Sequence, residues 1–427
     1  MERDSILYQQ YISILKEELR PAMGCTEPIA LAYAGALARK LLGAEPEKLL
    51  VAVSGNIIKN VKSVVVPNTG GLRGIAAAVC AGIVAGDPHR ELQVISQVSQ
   101  DQQRQLRQFM DSVECTIVPS DSTLVFDIDI TVSKGQDTAQ VRIVNHHTNL
   151  VYMRKNDDVQ LNLPVTEASE DHLTDKSCLS IEKIVEFADS LDIEDVREFV
   201  GRQIEYNMDI AKAGLDGNWG ANIGSVILRR QGESLAKQAC AWAAAGSDAR
   251  MSGCEKPVII ISGSGNQGIT ASVPVAVVAQ SMNASEEELI RAVVVSDLVT
   301  IHQKTGIGRL SAYCGAISAG CGAGAGIAYL KGGRFHAVAH TVVNAIAILS
   351  GTICDGAKPS CAAKIAAAVD AGILGYDMYL ENQQFYGGDG IVTKGVDKTV
   401  INVGRLAREG MKETDKTILE IMLSDGC

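Results

Sequence analysis

The chain has 427 residues, enough for two or three domains, and a formal net charge of −11 at pH 7. Its charges are dispersed and form no basic stripe, so we expect no nucleic acid among its partners. Its eleven cysteines are more typical of metal binding or catalysis than of disulfides. Because the first twenty residues predict an amphipathic helix and not a signal peptide, we expect a cytoplasmic protein.

The segment before residue 89 predicts a mainly helical unit. Two helical patterns are followed by a strand, LLVAVS, a loop region rich in Gly and Asn, and a helix at about 72–85. Cys25 lies at the start of the second helix, for which Thr26 is a suitable N-cap. A helix N-terminus lowers the pKa of a thiol, so Cys25 is a candidate thiolate. The alternative is a small, buried apolar residue.

Residues 89–164 are more polar and have a different periodicity. The surface helix SQDQQRQLRQFMDSV precedes three alternating strands, STLVFDIDITVS, AQVRIVNHH and LVYMRK. We therefore predict an inserted α+β domain at 89–164, whose role stays open. The remaining residues, 1–88 and 165–427, form a discontinuous helical catalytic domain rich in Ala and Gly, including a long helix from about 195 to 230. The fold class is α+β.

Two uncharged stretches of the C-terminal half are long enough to be considered as membrane spans. They are LSAYCGAISAGCGAGAGIAYL and FHAVAHTVVNAIAILSGTIC. Small and polar residues dominate both, and no aromatic belt or basic flank accompanies them. We predict buried helices of a soluble protein with no membrane partner. The Ala- and Gly-rich surfaces are compatible with a homo-oligomer.

Three Gly- and Asn-containing loops predict a polar ligand pocket. In the last of them, SGSGNQG, three glycines satisfy G-x-G-x-x-G, but the next helix is followed by another helix where a dinucleotide fold needs a strand. The loop instead brings backbone N–H groups and polar side chains to a helix N-terminus, which suits an anion such as a carboxylate. SGNIIKN (54–60) and PNTGG (67–71) have the same chemistry.

The C-terminal third contains five cysteines, at positions 314, 321, 354, 361 and 427. No CxxC occurs, which excludes a zinc ribbon or a ferredoxin-type run. In TICDGAKPSC, Cys354 and Cys361 flank a turn where helix termini and Lys358 favour thiolates and bound sulfide. The alternative is a pair of structural cysteines at a helix junction.

Taken together, these segments resemble the L-cysteine desulfidase family, which is related to the iron–sulfur-dependent bacterial L-serine dehydratases. The resemblance spans nearly the whole chain and rests on an ordered set of motifs: GCTEPIA, SGN, VPNTGG, SGSGNQG, RLSAYCGAISAG and ICDGAKPSCAAK. It implies a [4Fe–4S] cluster held by Cys314, Cys354 and Cys361, with Cys25 as the catalytic base.

Two further cysteines have different expectations under this resemblance. Cys321, in a Gly- and Ala-rich context, is expected to be a bystander and not a ligand. Some related serine dehydratases use a C-terminal cysteine as a fourth ligand that the substrate displaces, so the same role for Cys427 is a hypothesis. Its alternative is an exposed terminal thiol.

The reaction implied by the resemblance is an α,β-elimination that converts L-cysteine to hydrogen sulfide, pyruvate and ammonia. One iron is left open by three thiolates and acts as a Lewis acid, while Cys25 takes the Cα proton. The side chains expected to contact the substrate are Ser54, Asn56, Asn68, Thr69, Asn266, Gln267 and Lys358. Lys358 alternatively balances the charge of the cluster.

Two other functions stay open at this point. The same class of enzyme could act on L-serine or another β-substituted amino acid, because an open iron polarises either leaving group. The second alternative is a non-catalytic small-molecule binding protein that keeps the fold. The persistence of Cys25 together with all three expected ligand cysteines argues against it.

Overall fold

The computed structural model describes residues 1–165, 173–308 and 310–424, so Cys427 lies outside the described residues. Helices dominate this part of the chain. They are α1 (Ile6–Glu18), α2 (Thr26–Leu42), α3 (Gly55–Val61), α4 (Gly74–Ala85), α5 (Gln100–Ser112), α6 (Ile181–Ser190), α7 (Arg197–Asp216), α8 (Ile223–Gln231), α9 (Leu235–Met251), α10 (Gly265–Met282), α11 (Glu286–Ile307), α12 (Gly315–Leu330), α13 (Phe335–Leu349), α14 (Cys361–Leu380), α15 (Val396–Arg405) and α16 (Lys412–Ser424).

The strands form two separate sheets. They are β1 (Arg20–Met23), β2 (Lys48–Val53), β3 (Glu114–Pro119), β4 (Asp127–Lys134), β5 (Asp137–Val144), β6 (Leu150–Lys155), β7 (Asp158–Asn162) and β8 (Pro257–Ile260). The larger sheet has the order β3-β2-β4-β5-β6-β7, with β2 and β3 parallel and the other pairs antiparallel. β1 and β8 make a small antiparallel pair. The fold is α+β and mostly helical, which confirms the predicted class.

The larger sheet uses its alternating pattern to bury one face. Ile128, Ile130 and Val132 of β4 are fully buried, and α2 packs against β4 and β5. Strand β2 comes from the N-terminal segment, yet it pairs with both β3 and β4. The division into 1–88, 89–164 and 165–427 stays a prediction, and the sheet itself extends beyond 89–164.

The Ala- and Gly-rich helices of the C-terminal half pack at very short range. An added Cβ on Gly324 of α12 would lie 2.4 Å from the carbonyl oxygen of Gly372 on α14, so the two backbones are in contact. Nearly all of α12 is buried, as the sequence predicts. None of the helices in the described ranges combines the length and the apolarity that a membrane crossing requires.

Some local predictions differ from the structure. The residues 55–61, predicted as a loop, form helix α3, and the single helix predicted at about 195–230 is two helices, α7 and α8. The interruption lies at Gly217 and the residues after it, where Asn222 adopts a left-handed backbone conformation with φ 51°. Strands β3 and β7, mostly exposed, were not predicted, because their alternation is weak and pairing with distant strands stabilises them.

Candidate active site

A cleft lies where the N-termini of α2, α10, α12 and α14 converge. It encloses about 730 Å³, its open mouth included. Five stretches of the chain that are remote in sequence contribute to its wall, and its polar or sulfur-containing lining residues include Cys25, Thr26, Glu27, Asn60, Arg250, Asn266, Gln267, Lys304, Cys314, Cys354 and Cys361. The cleft therefore brings together Cys25, the expected base, and the three expected cluster ligands.

Cys25 lies at the N-terminus of helix α2, in a network of hydrogen bonds that fixes its position. It occupies the N-cap position itself, and Thr26, the predicted N-cap, is the first helical residue. The Cys25 thiol donates a hydrogen bond to Glu27 Oε2 at 3.2 Å. The Thr26 hydroxyl donates to the carbonyl oxygen of Gly263 at 2.8 Å. The GCTEP motif is thus tied to the SGSGNQG loop at the start of α10.

The acidity of Cys25 differs from the sequence-based expectation. Burial raises the pKa of the Cys25 thiol well above its usual value, and the Glu27 carboxylate raises it further. Arg250 opposes this shift. The lowered pKa expected at a helix N-terminus is therefore corrected: the favourable field of α2 does not compensate for a side chain that is only 2% exposed.

The other three cysteines approach one another through a local pairing of two loop segments. Tyr313 and Ile353 form an antiparallel bridge, in which the Cys314 N–H donates to Thr352 O (3.1 Å) and the Cys354 N–H donates to Ala312 O (2.6 Å). Cys314 is the N-cap of α12. Cys361 is the first residue of α14 and packs against the small apolar cluster that contains Cys25.

Two lysines and one aspartate border these thiols. Burial raises the pKa of Cys314 to about 12, and the neighbouring thiols Cys354 and Cys361 add to the shift. Burial also raises the pKa of Cys361, whereas Lys358 and Lys364 lower it. Lys358 forms an ion pair with Asp355 and does not line the cleft, and Lys364 Nζ lies 2.6 Å from Asp355 Oδ1. Both cations favour thiolates nearby.

The donor set can be tested against the two kinds of metal centre that cysteines hold. Within the described ranges, no three His, Cys, Asp or Glu side chains converge on a position for one metal ion. Cys314, Cys354 and Cys361 nevertheless line one cleft from separate segments, and thiolates are the ligands of iron–sulfur clusters. In a cluster each thiolate binds a different iron, so the thiols need not converge on one point. Their chemistry fits a cluster better than a single ion.

Asn266 and Gln267 lie in the first turn of α10 and line the cleft, as predicted. Asn266 Oδ1 accepts a hydrogen bond from Arg250 Nη1 at 3.1 Å. Gln267 is buried, and its Oε1 atom has no hydrogen-bond partner among the described residues. These two residues remain candidates for substrate contact.

The other five predicted contact residues lie outside the lining of this cleft: Lys358, described above, and Ser54, Asn56, Asn68 and Thr69. The Ser54 hydroxyl donates to Val125 O at 2.9 Å, and Asn56 does not reach the cleft wall. The Asn68 amide donates to Ile95 O at 2.8 Å, and the Thr69 hydroxyl donates to Val66 O at 2.7 Å. Ser54, Asn68 and Thr69 are thus hydrogen bonded to backbone carbonyl groups of the fold and do not contribute to the cleft wall. Cys321, the expected bystander, is buried in α12 and also lies outside the lining.

Sequence reasoning missed several residues of the cleft, above all Glu27, Arg250 and Lys304. From the sequence alone, Glu27 is only an acidic residue in the first turn of a helix, which the helix dipole favours. Arg250 lies in the last turn of α9, in the stretch QACAWAAAGSDARM. There two charged residues, Asp248 and Arg250, follow a run of small apolar residues. That pair of charges is the signal that could have identified it.

The chain is similar to known proteins over nearly its whole length. Residues 89–420 match the family model described as serine dehydratase alpha chain. A UPF0597 protein of Desulfitobacterium hafniense is 57% identical over 99% of both chains, and one of Treponema denticola is 44% identical over all of both chains. A third, from Lachnoclostridium phytofermentans, is 46% identical over 98% of this chain and all of its own.

A cleft lined by cysteines and polar side chains, on a helical fold with this similarity, defines a lyase-like enzyme. The chain belongs to the serine dehydratase alpha-chain family. The sequence motifs resemble a family that is related to the iron–sulfur serine dehydratases. The serine dehydratase alpha-chain family is itself generally iron–sulfur dependent.

Proposed function

We propose that this chain is an iron–sulfur lyase that removes sulfide from L-cysteine and yields pyruvate and ammonia. The observation that carries the proposal is the convergence of Cys25, Cys314, Cys354 and Cys361 on one cleft from distant parts of the chain. Membership of the serine dehydratase family supports an elimination from a β-substituted amino acid.

Within this proposal, Cys314, Cys354 and Cys361 hold a [4Fe–4S] cluster, which supplies a Lewis acid for the leaving group when it is bound. Lys358 and Lys364 lie close enough to lower the pKa of Cys361 and so favour the ionised thiols that such a ligand set requires. Cys321 serves no role in this centre, because α12 buries it away from the cleft.

Cys25 is the proposed base for the Cα proton. It must first lose its own proton, and the Glu27 carboxylate, which already accepts its hydrogen bond, is the acceptor at hand. The electron pair of the broken Cα–H bond forms the Cα–Cβ double bond, and the C–S bond breaks as sulfide leaves with its electron pair. The resulting aminoacrylate tautomerises to an imine, which water hydrolyses to pyruvate and ammonia.

A second candidate is the dehydration of L-serine by the same groups. The matching family model, described as serine dehydratase alpha chain, favours it. The Cα chemistry is identical, and hydroxide replaces sulfide as the leaving group. The two candidates differ only in which β-substituent the cleft accepts.

The test is a comparison of kcat/KM for L-cysteine and L-serine on the full chain, purified and reconstituted with iron and sulfide without oxygen. Sulfide and pyruvate are measured separately. Preference for L-cysteine supports the desulfidase, and preference for L-serine supports the second candidate. If neither substrate gives pyruvate although the cluster is present, both proposals fail. Cys321→Ala is the matched control, because it removes a buried cysteine outside the cleft.

A further inference from the structure

Among the residues that the structure describes, Arg250 is a buried cation without an anionic partner. Its side chain lines the cleft and the residue is 2% exposed. No carboxylate of the described residues lies within ion-pair distance of it, and its Nε atom makes no hydrogen bond. Its Nη1 atom donates a hydrogen bond to the neutral amide oxygen of Asn266 at 3.1 Å. Buried charges in proteins are normally paired, so this arrangement indicates a missing anion.

The position of Arg250 beside helix α10 strengthens this conclusion. An added Cβ on Gly265, the first residue of α10, would lie 2.4 Å from Arg250 Nε. The guanidinium therefore lies directly against a helix N-terminus, which itself carries about half a positive charge. The N-cap Ser264 makes no side-chain cap hydrogen bond. Two positive features in contact are unfavourable unless an anion binds between them.

Gln267 supplies an unpaired hydrogen-bond acceptor in the same cleft. Its Oε1 atom is buried and without a hydrogen-bond partner in the described residues, so an acceptor lies one residue beyond the Arg250 contact at Asn266. An unpaired donor and an unpaired acceptor therefore lie near each other. The head of an α-amino acid presents the complementary pair, a carboxylate and an ammonium group.

We infer that Arg250 and the N-terminus of α10 bind the α-carboxylate of the substrate, and that Gln267 Oε1 accepts a hydrogen bond from its α-ammonium group. This inference rests on the proposed function in taking the substrate to be an amino acid. It assigns selection for the amino-acid head to Arg250, and it makes no distinction between sulfur and oxygen at the β-position. Cys25 lines the same cleft as Arg250 and Gln267.

The test measures binding and not turnover, by calorimetry on the full anaerobically purified chain. The probes are L-alanine, which has no leaving group, L-alaninamide, which lacks the carboxylate, and propionate, which lacks the ammonium group. For the unmodified chain we expect L-alanine to bind at least about tenfold more tightly than either analogue, since a hydrogen bond to a charged group is typically worth that much.

Arg250→Gln should weaken L-alanine binding at least about tenfold and leave L-alaninamide within about threefold. Gln267→Met should weaken L-alanine and L-alaninamide together and leave propionate unchanged. Arg250→Lys keeps the charge but not the forked donors. Its affinity for L-alanine should lie between those of Arg250→Gln and the unmodified chain. Arg104→Gln, an exposed arginine on α5, is the matched control and should change none of the affinities.

Equal weakening of L-alanine and L-alaninamide by Arg250→Gln would overturn the inference, and so would unchanged L-alanine binding. If Arg250→Gln does not fold, the ligand series on the unmodified chain still decides: equal affinity for L-alanine and L-alaninamide contradicts a carboxylate site. Failure of the proposed function looks different. In that case the binding pattern appears, but neither L-cysteine nor L-serine is converted.

Discussion

Two arginines of this chain, Arg142 and Arg250, differ in whether a carboxylate pairs with them. In the larger sheet, Arg142 makes a two-pronged ion pair with the fully buried Asp127, through Nε to Oδ1 at 2.9 Å and Nη2 to Oδ2 at 2.8 Å. In the cleft, Arg250 is more deeply buried and has no carboxylate partner among the described residues. The Arg142 fork is satisfied by one carboxylate of the same sheet, whereas Arg250 Nε and Gln267 Oε1 in the cleft have no partner among the described residues. This difference between the two arginines supports a ligand-binding role for the cleft.

The same contrast explains why some sequence-based site predictions fell in the cleft and others did not. Ser54 follows β2, Asn266 follows β8, and both residues lie at a helix start. Ser54 is hydrogen bonded to the backbone at Val125 and Asp127, next to the Arg142 ion pair. Asn266 instead meets Arg250 at the wall of the cleft. The local sequence of both loops is similar, and only the tertiary partner distinguishes support from binding.

The largest expected effect concerns the proposed base in the cleft. Cys25→Ser should reduce kcat for the elimination by about 10²–10⁴-fold, because a hydroxyl is a far weaker proton acceptor than a thiolate. Stability should change little, since the side chains are similar in size. The check is a sulfide and pyruvate assay together with a thermal melt. Activity within threefold of the unmodified chain would remove Cys25 from the mechanism.

The contrast between the two arginines predicts stability changes of opposite sign. Arg142→Met should destabilise the chain by about 3 kcal/mol, because it leaves the buried Asp127 carboxylate unpaired. Arg250→Met should be neutral or stabilising by about 1 kcal/mol, since it removes an unpaired buried cation. Urea denaturation of both variants measures this directly. Similar destabilisation by the two substitutions would show that Arg250 has a structural role after all.

A third buried ionisable group, Asp297, shows that an unpaired polar atom does not always indicate a ligand. On α11, Asp297 Oδ1 accepts from Gln203 Nε2 at 2.9 Å, while Asp297 Oδ2 and Gln203 Oε1 have no partner when the carboxyl is taken as ionised. Burial raises the pKa of Asp297 well above its usual value. A protonated Asp297 has an O–H to donate, and the Gln203 amide that already contacts it carries an unpaired acceptor, so these two groups can satisfy each other without any ligand.

This pairing predicts a pH-dependent effect of Asp297→Asn. The folded pKa lies above the unfolded one, so the folded state keeps a proton that the unfolded state releases, and the unmodified chain loses stability as pH rises. The amide cannot titrate. The stability of Asp297→Asn relative to the unmodified chain should therefore increase by about 1 kcal/mol or more between about pH 5 and pH 8. A constant difference measured by urea denaturation across that range would contradict a protonated Asp297.

The smallest expected effect tests the supporting role of Ser54. Ser54→Ala should lower the free energy of unfolding by about 1 kcal/mol, the typical worth of a lost internal hydrogen bond, and should leave KM unchanged. Denaturation and steady-state kinetics on one preparation provide both numbers. A large rise in KM without a change in stability would return Ser54 to the substrate-binding set.

Much of the fold was predictable from local pattern. The alternation in β4, β5 and β6 and the capped start of α11 at Ser285 need only neighbouring residues to be recognised. The parallel pairing of β2 with β3 was not, because the two strands are some sixty residues apart in the chain and β3 is largely exposed. Long-range pairing leaves little trace in either segment alone.

For the site, the cysteines and the SGSGNQG loop could be predicted because each lies in a distinctive motif. The acidity of Cys25 could not, since its helix position is visible in the sequence but its burial and its contact with Glu27 are tertiary. Arg250 also escaped prediction. Its importance arises only where the end of α9 meets the start of α10.

The proposed function requires that the cysteines of this cleft, and no other set of cysteines, hold a cluster. The most direct measurement is the iron content and visible spectrum of anaerobically reconstituted Cys354→Ala beside Cys321→Ala. We predict that Cys354→Ala loses the cluster spectrum and most of its iron, whereas Cys321→Ala matches the unmodified chain. Full iron binding in Cys354→Ala, or equal losses in both variants, would contradict the account.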